Sequence, residues 1–337
     1  MGKDLFDFLC GFPFQIILVC KTDKTLEQTK IAFHKKQNRA LKYQLIKQES
    51  FDFRNENTLI TTDLKSLKPC NLVIETISED IQKKSDLYKQ LLPILNPDCV
   101  FASNTSSISI NKLFSEWKNK ENSLGLHFFF PVGMKDIVEV NVTKNTSKKA
   151  VSFITDFLKR IGKSYTVLKR KDHFIINRIF LKMQAGCCQL LMDGKYGVQE
   201  IDDLIKANLF PIGVFDFFDN VGNDVMLQSV KNYILYEEDQ QFYQPLVALL
   251  ERKVATGKLG VKSKSGFYEY PLKKKKRTPL EMQEVLQKIT LWYLDGVFGV
   301  YNKSICTKDE LEHIVKEYMM IEKSPFELAD EIAYTFR

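Results

Sequence analysis

Histidine is scarce in this chain: only four occur in 337 residues, so any histidine chemistry has few places to sit. The seven cysteines (10, 20, 70, 99, 187, 188, 306) form no CxxC pair and no metal-ligand spacing, which argues against a zinc module or other metal site. Their odd number and apolar settings fit a reducing, cytoplasmic compartment. No run of about 18 apolar residues is present, so a membrane span is not expected. The apolar stretch Leu5 to Cys20 is broken by Gly11 and Pro13 and lacks a basic lead. It reads as helix, turn and strand, not as a secretory signal. No basic patch interleaved with aromatics is present, so nucleic acid is not an expected partner. The net charge of +7 suits a solvated lysine-rich surface or a polyanionic small ligand.

The chain does contain short apolar runs that break into polar residues. Gln15–Cys20, Leu59–Thr61, Leu72–Thr76, Val100–Ser103 and Leu124–Phe129 read as strands. Amphipathic segments at 25–46 and 81–95 read as helices between them. That alternation predicts βαβ units and a mostly parallel sheet. A helix over 147–161 and a strand over 164–168 follow. Helical periodicity then dominates, at 176–193, 199–207, 213–220 and 243–256. The boundary between an α/β domain and a helical one falls near Lys169–Asp172. The basic run Lys273–Arg277 reads as a solvated linker. Beyond it, Asp309–Val315 echoes Gln199–Ile205, and Ser324–Asp330 echoes Gly213–Asp219, a partial second copy of the helical domain. The expected division is 1–170, 171–272 and 273–337.

The stretch Gly125-Leu-His127-Phe-Phe-Phe130-Pro131 sets an imidazole among apolar residues. Glu139 follows twelve residues later in the run Ile137–Val140. A histidine oriented by a carboxylate can take a proton from a hydroxyl. The same pair equally suits a buried structural contact. Ligands of open α/β sheets bind beyond the carboxyl ends of strands. On that rule Glu79, Asn104, Ser106 and His127 gather on one rim.

Six phrases in order resemble the 3-hydroxyacyl-CoA dehydrogenase family: Val73-Ile-Glu75-Thr-Ile-Ser-Glu79, Phe101-Ala-Ser-Asn104-Thr-Ser106-Ser107, His127-Phe-Phe-Phe130-Pro131, Val138-Glu139-Val140, Phe174-Ile-Ile-Asn177-Arg178, and Lys258-Leu-Gly260 through Gly266-Phe-Tyr268. The resemblance spans Met1 to about Tyr270. It implies a Rossmann-like, mostly parallel sheet followed by an all-helical C-terminal domain. It implies NAD-dependent oxidation of (S)-3-hydroxyacyl-CoA to 3-oxoacyl-CoA, an acyl-CoA substrate and a homodimer. By resemblance His127 is the general base, Glu139 orients it, and Ser106 and Asn177 stand near the substrate hydroxyl and nicotinamide. Gly2, Cys20, Glu79, Lys84 and Asn104 fall at cofactor positions. The Gly260–Tyr268 signature is expected to serve packing. The 6-phosphogluconate type of two-domain dehydrogenase, with a Lys–Asn arrangement, suits the His–Glu spacing less well.

Four departures stand out. The first strand and two glycines of Gly-x-Gly-x-x-Gly are missing ahead of Met1-Gly2, so Ile17, Val19 and Val73 are expected to expose apolar surface. Cys20 replaces the acidic residue that binds ribose hydroxyls. Phe130 stands where the family has Asn. Asp172-His173-Phe174 replaces Pro-Gly-Phe. They motivate an alternative, a catalytically impaired member serving as an acyl-CoA binder or dimerising scaffold.

Overall fold

The computed structural model describes residues 1–168, 174–235, 237–272 and 282–335. Asp172, His173 and the run Lys273–Arg277 lie outside them. The chain divides into two compact units. One holds residues 1–105 and 110–169, the other 106–109 and 170–337.

The first unit opens with helix α1 (Gly2–Leu9) and strand β1 (Ile16–Val19). Helices α2 (Asp23–Lys42) and α3 (Gln48–Glu56) lead to β2 (Thr58–Thr61). The long helix expected over 25–46 is thus shorter, and a second helix, not foreseen, follows it. Gln44, at φ 57°, stands in the turn between the two. Then come β3 (Leu72–Glu75), α4 (Ile81–Leu91), β4 (Val100–Ser103), the single turn α5 (Ile110–Leu113) and β5 (Ser123–Phe128). The unit closes with β6 (Ile137–Asn141), α6 (Lys148–Arg160) and β7 (Ser164–Leu168). Polar caps set the helix starts: Thr22 accepts from the amide of Thr25, Asp80 from Gln82 and Lys83, and Ser147 from Ala150.

The strands form two sheets. β1 and β2 pair in parallel as a two-stranded ribbon, and the other five run in the order β3-β4-β5-β6-β7. Only the β5–β6 pair is antiparallel. The second edges of β1 and β3 have no ladder partner among the described residues. α1 joins the two sheets by its faces. Leu5, Phe8 and Leu9 pack into the cluster of Val100, Leu126 and Val140, while Phe6 and Cys10 pack with Cys20, Phe33 and Ile60. This corrects the exposure expected of Ile17, Val19 and Val73. Val73 is buried at 8 %, and Ile17 and Val19 are half-buried.

The second unit is helical. It contains α7 (Ile175–Met192), α8 (Val198–Asn208), α9 (Val214–Val221), α10 (Asn223–Ile234) and α11 (Gln244–Ala255). α12 (Gln283–Asn302), α13 (Lys308–Met319) and α14 (Pro325–Glu331) follow. Helix α10 was not foreseen. Among the described residues no helix is long and apolar enough to cross a membrane.

Two buried carboxylates clamp the loop that carries the Gly260–Tyr268 signature. Asp219 accepts from the amides of Phe267 (2.9 Å) and Tyr268 (2.8 Å), the Tyr270 hydroxyl and the Asn223 amide nitrogen. Asp202 accepts from the amides of Phe215 and Asp216 and the Tyr268 hydroxyl. Gly260, at φ 91°, and Gly266 press against Asp219, where a Cβ would collide with its backbone or its carboxylate. The signature therefore packs its own helical unit. Gly266→Ala is expected to lower stability by about 2–4 kcal/mol through lost carboxylate bonds, and chemical denaturation measures it.

Burial pushes the Asp202 carboxyl up to about 6, against the opposing pull of its hydrogen bonds. The folded state thus holds this proton more tightly than the unfolded chain. Its contribution to stability is complete below the ordinary carboxylate value near 3.8 and is lost as pH rises through about 6. Denaturation midpoints of Asp202→Asn should fall less between acid and neutral pH than those of the parent. Parallel pH slopes would contradict the shift.

Candidate functional site

The carboxyl ends of β3, β4 and β5 bring several expected residues together. His127 lies opposite Glu139 in the antiparallel β5–β6 register. Residues directly opposite one another share a face of the sheet. The imidazole Nδ1 stands 2.6 Å from the Glu139 carboxylate, with His127 5 % exposed and Glu139 fully buried. The Phe129 ring, 4.4 Å from the imidazole centroid, helps to exclude water from the pair. Asn104 accepts from the amide of Phe128, tying the end of β4 to the end of β5.

Glu79 accepts from the Thr105 hydroxyl at 2.6 Å and stands 3.8 Å from the Lys84 ammonium. Lys84 was expected at a cofactor position, yet it is 1 % exposed and points inward. Its ammonium lies 2.7 Å from Glu75, a buried carboxylate not expected among the site residues. Glu75 also accepts from the amide of Ile77 and from the hydroxyls of Tyr88 and Ser103. Four donors, one of them carrying a full opposite charge, offset the cost of burying it. The signal was present: an acidic residue ends an apolar strand whose neighbour ends in Ser103, its register partner.

Gly2 opens α1 so close to Thr76 that a Cβ would strike the threonine hydroxyl, which sets the start of α1 beside the end of β3. In the first turn Asp4 accepts from the amide of Val132 at 2.6 Å. Buried Lys163 donates to the carbonyls of Val132 and Lys135 and pairs with Asp136. Together they fix the turn after the cis Phe130–Pro131 bond. Neither residue was singled out from sequence, because both act on partners far along the chain. Phe130 itself is 59 % exposed. Cys20 ends β1 as expected, but it lies in the apolar cluster with Phe6, Cys10, Phe33 and Ile60.

Ser106 and Asn177 are brought together in the helical unit. The Asn177 amide nitrogen donates to the Ser106 carbonyl (3.4 Å) and to the Tyr233 hydroxyl (3.0 Å). Tyr233 in turn donates to the same carbonyl, and Asn232 donates to the Ser107 hydroxyl. The 106–109 segment thus belongs with α7 and α10. Tyr233 had no sequence signal, since α10 itself was missed.

Comparison with known proteins agrees with this architecture. The family model "3-hydroxyacyl-CoA dehydrogenase, NAD binding domain" matches residues 1–172, and the C-terminal domain of the same family matches 174–270. The mitochondrial hydroxyacyl-coenzyme A dehydrogenase of Sus scrofa is 30 % identical over 277 residues, covering 80 % of this chain and 88 % of that protein. The 3-hydroxybutyryl-CoA dehydrogenase of Clostridioides difficile is 34 % identical over 211 residues, 62 % of this chain and 74 % of the relative. Among solved structures, M. tuberculosis FadB2 superposes with a TM-score of 0.72 at 28 % identity, covering 80 % of this chain and 95 % of that one. The 3-hydroxybutyryl-CoA dehydrogenase of Escherichia coli shares the fold over 98 % of this chain and 89 % of its own, with a TM-score of 0.84 at 18 % identity. An α/β unit with its polar groups at the strand ends, a helical unit after it in sequence, and matches across both halves make this chain a member of the 3-hydroxyacyl-CoA dehydrogenase family, enzymes with an NAD-binding domain.

Proposed function

We propose that the chain oxidises (S)-3-hydroxyacyl-CoA to 3-oxoacyl-CoA, with His127 as the proton acceptor and Glu139 as its orienting partner. The observation that carries this reading is the buried contact of 2.6 Å between His127 Nδ1 and Glu139. A carboxylate can only accept, so Nδ1 carries the hydrogen in that bond. Nε2 is then left with its lone pair and can take the proton of a substrate hydroxyl. The imidazolium so formed is stabilised by the adjacent negative charge of Glu139, as in other His–carboxylate pairs. NAD, when bound, supplies the hydride acceptor. In this reading Ser106 and Asn177 contact the substrate, with Asn177 held by Tyr233 and the Ser106 carbonyl. Glu79 and Asn104 shape the cofactor side of the rim. Lys84 acts from inside, fixing Glu79 through its charge. Self-association rests on family membership alone.

The residues present fit the proton-handling half of the reaction better than the dinucleotide-holding half. The thiol of Cys20 is buried among apolar side chains and cannot replace a carboxylate toward ribose hydroxyls. Phe130 offers no amide. These observations support the second reading, a member of impaired activity that still binds acyl-CoA.

Acetoacetyl-CoA reduction by NADH separates the two readings. His127→Ala is expected to lose about 10³-fold in turnover and Glu139→Gln about 10²-fold, with both proteins folded. Normal turnover by His127→Ala would remove the assigned base. A chain extended ahead of Met1 by an apolar strand and a Gly-x-Gly turn should bind NADH more tightly and turn over faster than the 337-residue chain. Equal silence in both, with folding shown by circular dichroism, would favour the second reading.

A further inference from the structure

Strand β1 runs out at Cys20, whose amide donates to the Thr61 carbonyl at 2.7 Å and so carries the β1–β2 ladder one residue further. The Cys20 side chain is 8 % exposed and packs with Phe6 and Cys10 of α1, Phe33 of α2 and Ile60 of β2. This strand end belongs to the unit that matches the family's NAD binding domain. In dinucleotide-binding sheets a carboxylate at such a place accepts from the adenosine ribose hydroxyls, and a cation there receives a 2′-phosphate instead. The carboxylate does two things: it binds the hydroxyls, and it repels a phosphate monoester of charge about −1.5 to −2 at pH 7. Cys20 does neither, because its sulfur is only a weak acceptor and lies among apolar side chains.

The charged groups around the strand end favour the phosphate. Lys21 follows Cys20 directly, and Lys24 lies in the first turn of α2. Both are exposed, and neither enters an ion pair among the described residues. Two acids are close in sequence to the ends of β1 and β2, and both already hold a donor. Asp23 accepts from the Thr62 hydroxyl at 3.3 Å, and Asp63 from the amide of Lys65 at 2.9 Å. A lysine binds phosphate as a point charge, without the fixed geometry that a bidentate partner needs.

We propose that this strand end gives the dinucleotide site no selectivity against a 2′-phosphate, so that the chain binds NADP at least as tightly as NAD, with Lys21 as the cation that receives the phosphate. The inference rests on the dehydrogenase reading, and it concerns the cofactor's adenosine end alone.

NADH and NADPH are titrated into the full chain and followed by the emission of the bound nicotinamide, which reads binding without turnover. NADPH should bind at least as tightly as NADH, and its affinity should fall more steeply as salt is raised. Lys21→Ala should weaken NADPH about fivefold, the worth of one exposed charge pair, and leave NADH unchanged. Cys20→Asp should turn the preference to NADH by about tenfold. That carboxylate enters an apolar cluster, so Lys21→Glu supplies the same reversal at an exposed position and should also favour NADH. NADH bound more than tenfold tighter than NADPH by the parent chain would overturn the proposal and leave the dehydrogenase reading standing. Equal losses of both cofactors in Lys21→Ala would overturn it as well. Binding of neither cofactor by folded protein would overturn both the proposal and the dehydrogenase reading.

Discussion

The antiparallel return of β6 alongside β5 is the constraint on which the candidate chemistry depends. Every other described strand pair in this protein is parallel. Parallel neighbours would put the ends of both strands at the same rim. Reversing one of them instead brings a residue from the middle of β6 opposite the residue near the end of β5. Glu139 therefore stands across from His127 from a register position that is itself fully buried. The carboxylate is rigid because its strand is paired on both sides, by β5 and by β7. A one-residue slip would turn Glu139 to the other face and end the contact.

A second constraint, the buried Glu75, organises the neighbouring rim. It gathers a lysine, a tyrosine, a serine and a backbone amide from β3, β4 and α4. Buried ion pairs contribute stability only when their remaining hydrogen-bonding positions are filled, and here they are. Lys84 also reaches toward Glu79, and Glu79 holds Thr105. The turn after β3 and the segment after β4 are thus coupled through charge. Removing one member would leave another charge buried and unpaired, so the network acts as a unit.

Sequence reading found the parts of this molecule that have local signatures. Strand ends that break into polar residues gave the positions of Glu79, Asn104 and His127, and periodicity gave most helices. It missed α3, because the turn at Gln44 sits inside a continuous polar pattern, and α10, whose start at Gly222 (φ 101°) follows α9 without a loop. It also missed what only long-range contact reveals: Asp4 meeting Val132, Lys163 reaching Asp136, and Tyr233 holding the Ser106 carbonyl. The exposure expected of Ile17, Val19 and Val73 failed for a similar reason. Nothing local in Leu5 to Cys10 tells that α1 would spread its two faces over two separate sheets.

That arrangement of α1 bears on how the two functional readings divide. A helix following a dinucleotide loop must present its first amides to a phosphate. Here α1 also carries apolar contacts on both faces and commits Asp4, in its first turn, to the Val132 amide. Moving α1 to accept a phosphate would disturb both clusters and loosen the turn that follows His127. Holding it still keeps the His127–Glu139 pair well supported whether or not a cofactor is near. The His127–Glu139 contact is therefore a product of the sheet. It rests on β5, β6 and β7, while α1 rests on the two apolar clusters, so the two can vary independently.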